Sequence, residues 1–361
     1  LPGFIPSVTR DSGAERAALN QVVRSIVAPA SPASDITPAV TPPNDGDQVI
    51  GNVEVSITRA RRVPFRWNGE ETLGANHGPG AATIQNQQIQ QAMRTLVNEM
   101  ESDLAALYTT ASRATGTAGT TPFASTLADS AALRKILSDN GAPLEDLHLV
   151  INTDAGTALR SLIQLSNANQ AGGDALLRQG ELLSIHGFST KESAQVKSHT
   201  KGTASGATTN NAGYAIGATA ITLASAGTGT ILAGDVVTFA GDSNKYVVTS
   251  GDTDVSNGGS IAIAAPGLRK AIAASATAIT VGANYAANAA FARNAIVLAT
   301  RLPALPDGND MASDRVVITD PRTGLAFEVA MYPQYRQMQY EVSAAWGGKM
   351  IKPEHAAILL G

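Results

Sequence analysis

The sequence predicts an α+β chain that completes its burial against copies of itself, and three observations predict it. An arginine-rich segment over residues 49–80 reads as an extended ribbon. Directly after it, apolar residues recur at Ile84, Ile89, Met93, Leu96, Met100, Leu104, Leu107 and Ala111. Steps of three to five residues put these on one stripe of a helix of about thirty residues, roughly 45 Å long. Further along, short β-prone runs between glycine turns interrupt helix-bearing sequence. A typical globular helix is about a third as long as this one. A charged ribbon beside so long a helix finds too little partner surface within one subunit.

With 361 residues there is room for two or three domains and a sizeable core. The net charge of −4 argues against a dedicated nucleic-acid binder, which carries a basic domain or stripe. There is no cysteine, hence no disulfide framework, thiolate metal site or cysteine nucleophile, as fits a reducing compartment. No apolar run approaches the roughly twenty residues of a membrane-spanning helix, and no secretory leader is visible. The chain opens at Leu1 without methionine, which leaves room for an upstream piece.

Residues 1–48 read as an N-terminal arm. Residues 14–26 suggest one or two amphipathic turns, and Pro29, Pro32, Pro38, Pro42 and Pro43 follow. Proline removes donors and holds the preceding residue extended. Residues 49–80 are the extended loop, in which Val53, Val55 and Ile57 alternate with Glu54, Ser56 and Thr58. Arg59, Arg61, Arg62 and Arg66 then crowd the path past Trp67 to a turn at Gly69, Glu70 and Glu71. The long helix lies within residues 81–121 and breaks in the Gly/Thr/Ala segment from residue 115.

Residues 122–202 read as the first part of an α/β domain. Ser125 or Thr126 is placed to cap a helix running to Leu137, with Asn140 and Gly141 as its stop. A buried strand over 147–151, a helix from Asp154 and a strand over 184–189 follow. Residues 203–289 change character, with candidate strands at 220–223, 235–239, 245–249, 260–264 and 278–281. Their even spacing fits a small barrel or sandwich, inserted in the α/β domain or appended to it. Residues 290–311 resume the α/β domain with a strand over 295–300, and residues 312–361 read as antiparallel strands. In these, Asp320-Pro321-Arg322-Thr323-Gly324 makes the turn between two strands. Met338, Tyr340, Val342 and Trp346 then share one face, and Gln337, Gln339, Glu341 and Ser343 the other.

Two stretches carry a family resemblance. The opening Gly3-Phe4-Ile5-Pro6-Ser7-Val8-Thr9-Arg10-Asp11-Ser12, with Ala14-Glu15-Arg16-Ala17-Ala18-Leu19-Asn20 behind it, resembles the N-terminal arm of coat proteins from P-twenty-two-type short-tailed phages. The ending Met338-Gln339-Tyr340-Glu341-Val342-Ser343-Ala344-Ala345-Trp346-Gly347-Gly348, with Ile351-Lys352-Pro353-Glu354-His355-Ala356, resembles the same family. The resemblance implies the Hong-Kong-97-type capsid fold: arm, extended loop, spine helix of a peripheral domain, axial α/β domain, inserted β-barrel and C-terminal sheet. It implies a major capsid protein whose pentamers and hexamers form an icosahedral shell. Its partners would be itself, a scaffolding protein, a portal and a decoration protein. Such a subunit would assemble in the host cytoplasm, reside in the virion and enclose DNA without reading its sequence, with no membrane involved.

A search for chemistry finds little, and neither a cofactor nor an enzymatic activity is expected. No Gly-x-Ser-x-Gly elbow, His-Glu-x-x-His pair or phosphate-cradling Gly-x-x-x-x-Gly-Lys occurs. His77, His148, His186, His199 and His355 are scattered, with none paired at ligand spacing. Asp252 and Asp254 sit in a turn that lacks the glutamate bounding a calcium loop. Glu70 and Glu71 are adjacent, and adjacent strand residues face opposite sides, which disfavours a shared acid/base site.

The arginines allow three readings: contact with packaged DNA, pairing with a neighbouring subunit's carboxylates, or a solvated strand face. The planar guanidinium suits carboxylates at interfaces. The candidate interface set is therefore Arg59, Arg61, Arg62, Arg66 and Trp67 with Glu70, Glu71, Glu99, Glu101 and Asp103. Of the alternatives, a bacterial nanocompartment shell of the same fold would hold an enzyme cargo. A secreted β-rich surface protein would explain the Ala/Thr/Gly-rich region but not the long helix.

Overall fold

The structure is a computed structural model that describes residues 2–27, 33, 35–42, 51–78, 80–167, 180, 182, 184–307, 310–321 and 323–361. Pro29, Pro32, Pro43 and Arg322, and the start of the expected ribbon at 49–50, lie outside the described residues.

After a 3-10 turn at Ile5–Ser7, the chain runs through strands β1 (Thr9–Ala17), β2 (Val22–Val27), β3 (Gly51–Ser56) and β4 (Arg59–Asn68). Helix α1 (Gly69–Asn76) leads to the spine helix α2 (Ala81–Ala105), which a 3-10 turn extends through Thr110. The α/β body begins with β5 (Arg113–Gly116), α3 (Ala128–Asp139), β6 (Leu147–Ile151), α4 (Thr153–Ser161), β7 (Phe188–Glu192) and β8 (Ser198–His199). The Gly/Thr-rich region yields β9 (Ala220–Leu223), β10 (Val236–Phe239), β11 (Lys245–Ser250), β12 (Gly259–Ile263) and β13 (Ile279–Val281). Strands β14 (Tyr285–Ala292), β15 (Ile296–Pro303), β16 (Asp314–Thr319), β17 (Ala326–Gln334), β18 (Gln337–Met350) and β19 (Ala356–Leu360) follow. The α+β class expected from the sequence stands.

Several local expectations need correction. Residues 14–26 form parts of β1 and β2 in place of amphipathic turns, because β1 finds a parallel partner in β15, from Thr9↔Val297 to Ala17↔Pro303. The turn expected at residues 69–71 is the first turn of α1. There the Asn68 side chain accepts from Glu71 N at 2.7 Å, and Glu71 Oε2 accepts from Asn68 N at 3.3 Å, a reciprocal cap. Neither Ser125 nor Thr126 is the N-cap of α3; Leu127 takes that place without a side-chain hydrogen bond. Its expected stop holds, with Gly141 at φ +76°, the left-handed conformation that suits glycine. The strand expected over 184–189 starts only at Phe188, because Ile185 and Phe188 exchange backbone hydrogen bonds across a tight turn at His186 and Gly187.

Two large sheets organise these elements. One has the order β1-β15-β18-β17-β16, with β4 also on β18. Strand β18 gives one edge to β4 from Asn68↔Gln337 to Arg59↔Trp346, while β17 and then β15 share the other edge. The second has the order β13-β10-β11-β5-β19-β14-β6-β7. Thus β19, expected with the C-terminal antiparallel strands, crosses into the body and lies between β5 and β14. Its residues are buried and apolar throughout, as a strand covered on both faces requires.

The inserted region closes on itself. Strands β13, β10, β11, β12 and β9 pair in series, and residues 208 and 209 bridge to Ala278 at one end and to Leu223 at the other. Ile221, Val237, Phe239, Tyr246, Ile261 and Leu268 fill the interior of this small barrel. The barrel also shares a strand with the body, because β11 pairs with β5 at Lys245↔Ala114 and Tyr246↔Arg113.

The spine helix covers the β4/β18 side of the first sheet. Leu96, Met100 and Leu104 are fully buried with Phe327, Val342 and Trp346, while Ile89 and Met93 are partly buried at the margin. This is the stripe the sequence spacing marks. Strands β2 and β3 form a separate two-stranded ribbon. Its base is seated by Val55 and Ile57 against Ala17, Val297, Ala299 and Ala345.

Candidate subunit-interface site

Strand alternation divides the four arginines into two pairs. Odd residues of β4 face α2: Val63 and Phe65 pack on its core, and Trp67, 8% exposed, donates from Nε1 to Gln88 Oε1 at 2.6 Å. Arg59 and Arg61 share that side and meet helix carboxylates, Arg59 Nε lying 3.4 Å from Asp103 Oδ2 and Arg61 Nε 3.4 Å from Glu99 Oε2. Together with Ser102 and Gln195 they line an open cavity of about 360 Å³. Even residues point to the opposite face. Arg62 donates to Glu341 Oε2 at 2.7 Å, and Arg66 Nε donates to Gln339 Oε1 at 3.0 Å, both acceptors on the paired strand β18. The hydrogen bond from Arg62 to Glu341, with their mutual attraction, holds the guanidinium above its usual range.

Three of the four arginines therefore meet a carboxylate within the subunit. The reason is non-local. Helix α2 folds back antiparallel over β4, which brings residues 99 and 103 opposite residues 61 and 59. These pairs remain about half exposed and are worth only about 0–1 kcal/mol each.

The expected acidic residues part company. Glu70 and Glu71 are exposed in the first turn of α1, where negative charge favours a helix N-terminus. Asp103 additionally accepts from Trp346 Nε1 at 2.9 Å, which fixes it. Glu101 does not face outward; it is 2% exposed. Its carboxylate accepts the backbone amides of Gly3, Phe4 and Ile5, the latter two at 2.6 Å and 3.0 Å. It pins the opening segment, whose Phe4 and Ile5 are buried in the main core.

Sequence reasoning places Glu341 and Gln339 on one strand face yet does not connect them with the arginines; the only signal is their shared alternation. It misses a second cluster on that face, where Glu328, 3% exposed, meets Arg16 and lies 3.7 Å from Arg315. The expected strand histidines also differ. His148 is buried in β6 with Nε2 2.8 Å from Asp146, whereas His186 sits in the turn before β7 and bonds Ser130. Asp254 caps a short 3-10 turn by accepting from Ser256 N at 3.1 Å.

No family model and no curated protein matches this chain. Solved structures do. A chain from the capsid of an empty GTA particle aligns with a TM-score of 0.49 at 10% identity, over 99% of this chain and 89% of that one. A chain from the capsid of the cyanophage P-SCSP1u aligns at 0.47 and 12% identity, over 98% and 86%. A virus-like particle from Pyrococcus furiosus aligns at 0.42 and 12% identity, over 98% and 89%. Likenesses of this depth assign nothing to individual residues, and the weight falls on the chain's own geometry.

Proposed function

We propose that this chain is the major capsid protein of a tailed phage, assembling through pentamers and hexamers into an icosahedral shell around packaged DNA. The observation that carries the reading is the β2–β3 ribbon. Among the described residues it is a two-stranded sheet joined to neither large sheet, and Val22, Arg24 and Glu54 along it are exposed. An isolated pair of strands is marginal in water, and open strand edges invite another chain. A neighbouring subunit supplies the missing cover, and the first sheet, on which Val55 and Ile57 are seated, is the stiff base from which the ribbon reaches it.

In this reading the half-exposed arginine–carboxylate pairs exchange partners between their own subunit and the next, with Glu70 and Glu71 at the rim. Glu101 and Trp67 act inside the subunit. The sequence resemblance adds a scaffolding protein and a portal as assembly partners, a decoration protein on the finished shell, and assembly in the bacterial host before residence in the virion.

Electron microscopy of the protein expressed with and without a scaffolding protein tests the proposal. Discrete pentamers and hexamers or uniform icosahedral particles are expected. A monodisperse monomer at all concentrations and salt levels overturns it, and particles filled with an enzyme cargo would reassign the shell to a nanocompartment.

A further inference from the structure

The seam between the body and the inserted barrel holds a feature that shell formation does not use. Strands β5 and β11 meet over two residue pairs only, and beside them lies a cavity of about 210 Å³. Arg113, Thr115, Lys135, Ser243, Asn244 and Lys245 line it, and no carboxylate does. At its margin Asp139 stands 3.6 Å from Arg113 Nη2 and 3.4 Å from Lys135 Nζ, so one carboxylate serves two cations, and Asp242 accepts from the lining residue Asn244 Nδ2 at 2.7 Å.

Arg113 is the unusual member. It is 4% exposed. Its Nη1 donates to Asn244 Oδ1 at 3.0 Å, and its Nη2 to Asn140 Oδ1 at 3.1 Å and Ile136 O at 3.3 Å. Its Nε is buried with no acceptor among the described residues. A buried donor left unpaired is costly, and native structures rarely keep one without a reason. Burial, and then the positive charge of Arg269, pushes this guanidinium below its usual range against the pull of Asp139.

We propose that the β5–β11 seam is a binding site for a tetrahedral oxyanion, phosphate in class. Arg113 is its buried anchor, Lys135 and Lys245 supply charge, and Thr115, Ser243 and Asn244 offer polar contacts. The anion offsets the cationic charge of the lining and ties the barrel to the body, since the lining comes from both. Two sources carry this chemistry, free inorganic phosphate and the phosphodiester of a nucleic acid.

Titration calorimetry of the full chain separates them, using inorganic phosphate at constant ionic strength in one arm and a short single-stranded oligonucleotide in the other. Lys135 is largely exposed, so Lys135→Gln keeps the fold even if Arg113→Gln does not. Loss of one charged partner should weaken phosphate binding about tenfold in Lys135→Gln, and more in Arg113→Gln. An oligonucleotide that binds, and is weakened by the same substitutions while phosphate is silent, assigns the site to a phosphodiester. Phosphate stabilises proteins generally by exclusion from their surface, so only heat that the substitutions remove counts. No binding in either arm, or binding that Lys135→Gln and Arg113→Gln leave unchanged, overturns the proposal.

Discussion

Replacing Glu101 with alanine removes the acceptor for three consecutive backbone amides, those of Gly3, Phe4 and Ile5. All three residues are buried, so water cannot take over without opening the segment. An orphaned buried donor costs about 1–3 kcal/mol. The loss is capped, because at the upper end the segment would peel away and surrender the burial of Phe4 and Ile5 instead. Breaking one side of a buried charged contact costs about 3–5 kcal/mol, and that is the expected destabilisation of Glu101→Ala. Glu101→Gln keeps one carbonyl oxygen that can still accept and turns an NH₂ toward the amides, so about half the loss is expected. Equilibrium urea unfolding of the dissociated subunit, followed by tryptophan fluorescence, measures both. Trp346 is a suitable reporter because Asp103 on the same helix binds its indole. Limited proteolysis should release the opening residues of the alanine variant first. A midpoint for Glu101→Ala equivalent to a change within about 0.5 kcal/mol of wild type, the range of ordinary surface substitutions, would refute the clamp.

Arg61→Gln, whose partner Glu99 is well exposed, should cost under about 1 kcal/mol in subunit unfolding while lowering particle yield, whereas Arg62→Gln should cost more because Glu341 keeps only 14% of its side chain exposed. Equal losses in the two variants would contradict the division of faces. Burial and nearby cations hold the folded-state pKa of His148 and His355 below the ordinary value, in His148 outweighing Asp146. The unfolded chain then binds the protons that the native state refuses. Their contribution is therefore complete above about pH 6.5 and declines as the pH falls below it. Urea midpoints measured between pH 7.5 and 5.5 should drop, less steeply in His148→Gln; parallel slopes would exclude His148 as the cause. A fragment of residues 203–283 has its own closed core and should melt cooperatively with β-type circular dichroism, while an unfolded fragment would make β5 part of that core rather than a neighbour.

The parts legible in the sequence are those set by local periodicity. The spacing of Leu96, Met100 and Leu104 marks the buried stripe of the spine helix, and the short Thr/Val/Ile runs mark the barrel strands. Residues 14–26 mislead because Ala14-Glu15-Arg16-Ala17-Ala18-Leu19 has helical propensity, which a strand partner some 290 residues away overrides. The partners of the arginines are hidden for the same reason. Arg59, Arg61, Arg62 and Arg66 are visible as a cluster, but the carboxylates that meet the first three come from the returning helix and from β18, and Arg66 meets Gln339 there. Glu101 reads like its neighbours Glu99 and Asp103, yet two residues are about half a turn of helix, and so it faces the core.

The placement of β19 sets the timetable on which a subunit can be made. In the body sheet, residues 356–360 separate β13-β10-β11-β5 from β14-β6-β7. Until the ribosome has passed residue 360, that sheet is two halves, each with an open inner edge at β5 or β14. The join links Arg113 to Ala357, a closure across more than half the chain that local structure cannot hasten. The barrel, whose core lies within residues 207–281, can close before the body is whole, and truncated or stalled products present open strand edges in place of a rigid surface. Residues 356–360 are thus the piece whose arrival joins the two halves of the body sheet.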